Sequence, residues 1–138
     1  MNAKLLIVDD EEGITNSLVR FFKLMDYNVD SCNSPAKALE MIRKENYMIV
    51  LSDVMMPGMS GIELLKEIKD FNGMIQVIMM TGVVSIENVL TCLRLGANDC
   101  FLKPLDDLEV IKRAVDEAGE KLSKWENLIK RMISRKHG

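Results

Sequence analysis

The sequence predicts an α/β fold: five strands alternating with five helices in a doubly wound parallel sheet. Short apolar runs without alternation recur at Lys4–Val8, Tyr47–Ser52 and Ile75–Met80, the pattern of strands buried on both faces. Helix-period segments lie between them. The 138 residues are 48% hydrophobic and 28% charged, which suits one packed domain and excludes a disordered chain.

The first strand, Lys4–Val8, ends at Asp9-Asp10, and Ile14, Leu18, Phe21, Phe22 and Met25 mark a face of the first helix. Val29–Cys32 is shorter and more polar, as an edge strand would be. Ser34 and Pro35 open the second helix as N-cap and first helical residue, and Ala38, Leu39 and Ile42 mark its face. The third strand runs into Asp53, and a helix marked by Ile62, Leu65 and Ile68 follows Ser60. The fourth strand ends at Thr81-Gly82. Ser85 caps the next helix, Ile86, Val89, Leu90 and Leu93 mark it, and Gly96 stops it. A weaker run, Cys100–Leu102, ends at Lys103-Pro104, and a fifth helix begins near Asp106. Strands alternating with helices imply right-handed crossovers. Pattern alone leaves the strand order open, 2-1-3-4-5 being one of two common arrangements.

In a parallel sheet all strand C-termini share one rim, where open α/β sheets bind ligands. Asp9, Asp10, Asp53, Thr81 and Lys103 all stand at strand ends. Three crowded carboxylates repel one another unless a hard cation offsets them, and the oxygen donors suit Mg²⁺. With an ammonium and a hydroxyl nearby, the rim suits anionic phosphoryl oxygens, with Asp53 as nucleophile. Singly, each residue is ordinary: a strand-end Asp often only caps the next helix, as Asp10 before Glu11-Glu12 would. Four strand ends with complementary groups are not.

The segments Leu5–Glu11 (LLIVDDE), Asp53–Gly61 (DVMMPGMSG), Met79–Gly82 (MMTG) and Gly96–Pro104 (GANDCFLKP) resemble the receiver domain of two-component response regulators. The resemblance covers residues 1–118. It implies the flavodoxin-like order 2-1-3-4-5 and a phosphorylation-dependent switch in the cytoplasm rather than a turnover enzyme. It makes Asp53 the phosphoacceptor for a sensor histidine kinase or phosphotransfer protein. Asp9 and Asp10, Asp10 the more direct ligand, would hold Mg²⁺ with Asp53 and the carbonyl of Met55. Thr81 would be the switch hydroxyl and Lys103 the site lysine, with a cis Lys103–Pro104 bond. Pro57 and Gly58 would shape the loop after Asp53, and Gly61 would let the next helix pack close. One departure stands out. The family usually has an aromatic three residues before the lysine, where this chain has Cys100, with Phe101 displaced to the next, inward position. The apolar Met55 and Val83 flank the site, so weak positioning of attacking water and a long-lived phosphoryl state are expected.

Charge divides the chain. Residues 1–118 carry 12 Lys/Arg against 19 Asp/Glu, and residues 119–138 carry 6 against 2. The overall balance of −3 excludes a wholly basic nucleic-acid binder, and nucleic acid is not the expected partner. Three cysteines at spacings that match no zinc or redox motif fit reduced cytosolic thiols. No apolar run is long enough for a membrane span. Leu108, Ile111, Val115, Ala118, Leu122, Trp125, Ile129 and Met132 recur every 3 or 4 residues, the seam of a coiled coil. Residues 119–138 therefore read as a helical extension with no core of its own to cover beyond 118. The extension reads either as pairing with a second subunit or as leading toward an output module; a homodimer could form through this helix or through the face of the fourth helix, fifth strand and fifth helix, and the output partner is left open. His137 is read as a terminal residue rather than a phosphodonor or metal ligand.

Three rival readings compete with the switch. A Mg²⁺-dependent phosphatase or phosphotransferase would usually carry a second Asp where Met55 stands. A nucleotide-binding domain would show a GxGxxG after the first strand, which is absent. An unphosphorylated receiver-like scaffold is the third, and Cys100 is its one support.

Overall fold

A computed structural model describes residues 3–83 and 85–137. The elements alternate as expected: β1 (Lys4–Val8), α1 (Glu12–Leu24), β2 (Val29–Cys32), α2 (Pro35–Lys44), β3 (Tyr47–Asp53), α3 (Gly61–Phe71), β4 (Gln76–Thr81), α4 (Ile86–Arg94), β5 (Asp99–Leu102) and α5 (Leu108–His137). The strands form one parallel sheet in the order β2-β1-β3-β4-β5. The side chain of His137 lies outside the described residues.

The caps explain the boundaries. Ser34, Ser60 and Ser85 each accept a hydrogen bond from the backbone N–H three residues on, at 3.2, 3.2 and 3.3 Å, satisfying a donor that has no partner inside its helix. Gly96 follows α4 at φ 95°, the left-handed turn glycine makes without strain. α5 starts at Leu108 rather than near Asp106. Asp107 Oδ1 accepts from Glu109 N at 3.1 Å and so sets the first turn.

Two apolar layers sandwich the sheet. Leu6, Val8, Val50, Val77 and Met79 face α2 and α3, where Ala38, Ile42, Leu64, Leu65 and Ile68 are buried. Leu5, Ile7, Ile49, Leu51, Ile78 and Met80 face Leu18 and Phe22 of α1 and Ile111, Val115, Ala118 and Leu122 of α5. Alternate residues of each strand thus serve opposite layers.

One expectation changes, and the facing of α4, which periodicity left open, is decided. The core does not stop at residue 118: Leu122 is 0% exposed, because α5 still lies against the sheet there, in the same apolar layer as Ile49. The stripe Ile86, Leu90 and Leu93 on α4 is turned to solvent, Ile86 being 78% exposed. α4 is anchored instead by Cys92, buried on its opposite face.

Candidate functional site

β1, β3, β4 and β5 deliver their polar ends to one rim. Asp9, Asp53 and Thr81 are buried there, while Asp10 is exposed. Carboxylate oxygens of Asp9, Asp10 and Asp53 all lie within 4.8 Å of one another.

Lys103 binds the group together. Its Nζ stands 2.7 Å from Asp9 Oδ2, 3.3 Å from Asp53 Oδ2 and 3.4 Å from Glu11 Oε1. The short contact pairs the ammonium with the buried Asp9 Oδ2. Asp9 Oδ1 accepts from Glu11 N at 3.0 Å, and the Asp9 carbonyl accepts from Asn33 Nδ2 at 2.8 Å. Asp53 Oδ1 meets only a long bond from Met55 N, 3.4 Å. Asp10 does not cap α1: that place falls to Glu11, which makes no side-chain cap bond.

Burial raises the pKa of Asp53, the Asp9 carboxylate adds to the rise, and Lys103 works against it. Burial opposes the charge of Lys103, but Asp9 and Asp53 outweigh it and hold the ammonium above the usual lysine range. Three carboxylates offering oxygens to one point, more negative charge than the single Lys103 offsets, fit a hard divalent cation, and among the described residues the cluster includes no His or Cys to favour a softer one.

The Thr81 hydroxyl is engaged elsewhere: it donates to the carbonyl of Val83 and accepts from Val83 N, both at 3.1 Å. The Lys103–Pro104 peptide is cis, and Gly58 has φ 80°. Gly61 donates to the Val54 carbonyl at 2.8 Å, and any Cβ there would collide with the Asp53 carbonyl. On β5, Cys100 packs with the α2–α3–α4 layer and Phe101 with the α1–α5 layer. Met55 and Val83 are both about half exposed. Sequence reasoning missed Glu11 and Asn33. Glu11 was visible as the third acid of the DDE run, whereas Asn33 carried no motif.

A doubly wound domain with an acidic pocket facing an ammonium at its sheet rim defines a recognisable class. The model of the response regulator receiver domain matches residues 5–115, and the chain belongs to that family. It is 40% identical over 111 residues to a transcriptional regulatory protein CpxR homolog of Haemophilus influenzae, covering 80% of this chain and 48% of that protein. It is 41% identical over 105 residues to the transcriptional regulatory protein ZraR of Escherichia coli, covering 76% of this chain and 24% of that protein. The chain thus spans half the length of these relatives or less. Against sporulation initiation phosphotransferase F of Bacillus subtilis the identity is 38% over 115 residues, covering 83% of this chain and 92% of that protein. A CheY-like receiver domain structure from Methanospirillum hungatei superposes with a TM-score of 0.83 at 27% identity, covering 90% of this chain and 99% of that one. Among the described residues no helix is long and apolar enough to cross a membrane.

Proposed function

We propose that this receiver domain is a cytoplasmic switch that takes a phosphoryl group onto Asp53 from a phosphohistidine of a sensor histidine kinase or phosphotransfer protein. The observation that carries the reading is the meeting of Asp9 and Asp53 on Lys103 Nζ. Asp9, Asp10, Asp53 and the Met55 carbonyl would hold Mg²⁺, which when bound would offset charge on the phosphoryl oxygens.

One Asp53 carboxylate oxygen attacks phosphorus as the P–N bond to the donor imidazole breaks. The electron pair returns to the imidazole nitrogen, which takes a proton, and Asp53 becomes an acyl phosphate. Lys103 exchanges part of its carboxylate pairing for the incoming oxygens. Thr81 gives up its bond to the Val83 carbonyl and donates to the phosphoryl group. Hydrolysis runs by water attacking phosphorus, the P–O bond to Asp53 breaking and inorganic phosphate leaving. Neither Met55 nor Val83 offers a polar side chain to orient that water, which favours a long-lived phosphoryl state.

Met55 also stands where a hydrolase would carry its second carboxylate, which supports a switch over a turnover enzyme. The solvent-turned Ile86 and Leu90 of α4 line one shallow groove with the exposed Leu102, and with Leu93, also turned to solvent, they offer an apolar face for an output partner. The scaffold reading keeps one support, Cys100 in place of the usual aromatic. Incubation with acetyl phosphate and Mg²⁺, followed by intact mass, separates the two. A gain of one phosphoryl group that is absent in Asp53→Asn supports the switch. No gain in folded, metal-loaded protein supports the scaffold.

A further inference from the structure

We propose that Glu11 is a place-holder on Lys103, a proposal that rests on the reading of Asp53 as the phosphoacceptor. In the resting site the Glu11 carboxylate occupies an N–H that a phosphoryl oxygen on Asp53 would take. It yields that N–H as the group arrives, and so restrains phosphorylation until then.

An ammonium has three N–H bonds to give. Three carboxylates stand around Lys103 Nζ: Asp9 at 2.7 Å, Asp53 at 3.3 Å and Glu11 at 3.4 Å. Each N–H thus has an acid to answer, and none is spare for an incoming oxygen.

The three acids are not equally free to leave. Asp9 and Asp53 are buried at the ends of β1 and β3. The Glu11 side chain is 63% exposed, and among the described residues its carboxylate makes no bond besides the one to Lys103. Water can solvate Glu11 as it departs, whereas moving either aspartate would strip a buried charge of its partner.

The helix start has no competing claim on Glu11. Glu11 is the N-cap residue of α1, yet its side chain accepts nothing from the first turn. It is one methylene longer than the aspartate that caps well, and it reaches across the rim to the residue after β5 instead.

Glu11 acts on the site in two ways. It competes for one N–H of Lys103, which depends on its reach. Its charge also repels a phosphoryl dianion, which depends far less on reach. An exposed ion pair shifts an equilibrium by about two- to fivefold, so the restraint is a bias and not a lock.

Beryllofluoride, an inert stand-in for the phosphoryl group, tests the assignment when titrated onto the full chain in saturating Mg²⁺ and followed by fluorine NMR. Glu11→Asp keeps the charge, shortens the reach and places a better capping residue before α1. Glu11→Ala removes both charge and reach. Both variants should bind beryllofluoride about two- to fivefold tighter than wild type, and the Tm of unliganded Glu11→Asp should not fall. Glu12→Gln, which removes a charge from the same turn but not the contact, should match wild type. Unchanged affinity in both Glu11 variants, tightening in Glu11→Ala alone, or equal tightening in Glu12→Gln would each overturn the place-holder while leaving Asp53 as phosphoacceptor. A wild type that binds no beryllofluoride and gains no phosphoryl group from acetyl phosphate would overturn both.

Discussion

Gly61 faces the backbone carbonyl of Asp53 so closely that a Cβ there would overlap its oxygen and stand 2.8 Å from the Cα of Val54. The obstacle is backbone on both sides, not the tip of a flexible side chain. Gly61→Ala must therefore move α3 away from the strand that presents Asp53. Overpacking of this kind typically costs about 1–3 kcal/mol. We expect a lower Tm by calorimetry together with slower phosphorylation; a variant with unchanged Tm would mean that the contact is softer than it looks.

Asp53 supplies the second expectation. Its pKa is raised by burial and by Asp9, so the neutral carboxyl is favoured in the fold. The stability gained from that neutral form is complete below the ordinary Asp value of about 3.9 and fades as pH rises through the raised value. Metal-free protein at neutral pH thus carries an unfavourable buried charge. Asp53→Asn should melt higher than wild type in EDTA near pH 7, with the gap closing in acid. Added Mg²⁺ should stabilise the wild type more than the variant.

Lys103 has a raised pKa as well, but in its case the favoured form is the charged one. Its raised pKa keeps it charged, and its stabilisation persists until alkaline pH. Lys103→Met removes a cation paired with two buried carboxylates. Leaving such charges without a partner costs on the order of 3 kcal/mol in a dry site, and less at this partly open rim. Chemical denaturation in EDTA should register the loss, and Mg²⁺ should recover more of it than it adds to the wild type. A variant as stable as wild type without metal would remove the ion pairs from this account.

The two tyrosines give a prediction away from the site. Burial, then the carboxylates they bond, push both phenols well above their ordinary range: Asp116 for Tyr27, Asp30 at 2.5 Å and Glu45 at 2.7 Å for Tyr47. Their share of stability is intact below the ordinary value of about 10 and is lost as pH rises beyond it. Absorbance titration of native protein should therefore show no phenolate near that pH. Ionisation should arrive together with loss of the circular dichroism signal. A free phenol titrating first in folded protein would contradict the buried networks.

The sheet and the rim were legible because burial on both faces leaves an unmistakable apolar run, and because each strand ends abruptly in a polar residue. The caps were legible for the same local reason: Ser34, Ser60 and Ser85 act on the helix they precede. The direction of α4 was not. Its stripe Ile86, Leu90 and Leu93 has helical period whether it faces core or solvent, and only the packing of Cys92 decides between them. The end of the α5 core was hidden likewise, since the step from Ala118 to Leu122 looks identical on either side of a domain edge. The engagement of Thr81 with Val83 is a loop geometry that no spacing encodes.

The length of α5 has a mechanical consequence. The helix begins five residues after Lys103 and leaves the molecule past the far edge of the sheet, about 45 Å in all at 1.5 Å per residue. With the segment up to Leu122 as fulcrum, the remainder is a rigid arm of roughly 20 Å. A change of a few degrees in how the rim seats the first turn would swing the arm's tip by more than an ångström, so events too small to alter the core could still be felt at a distance.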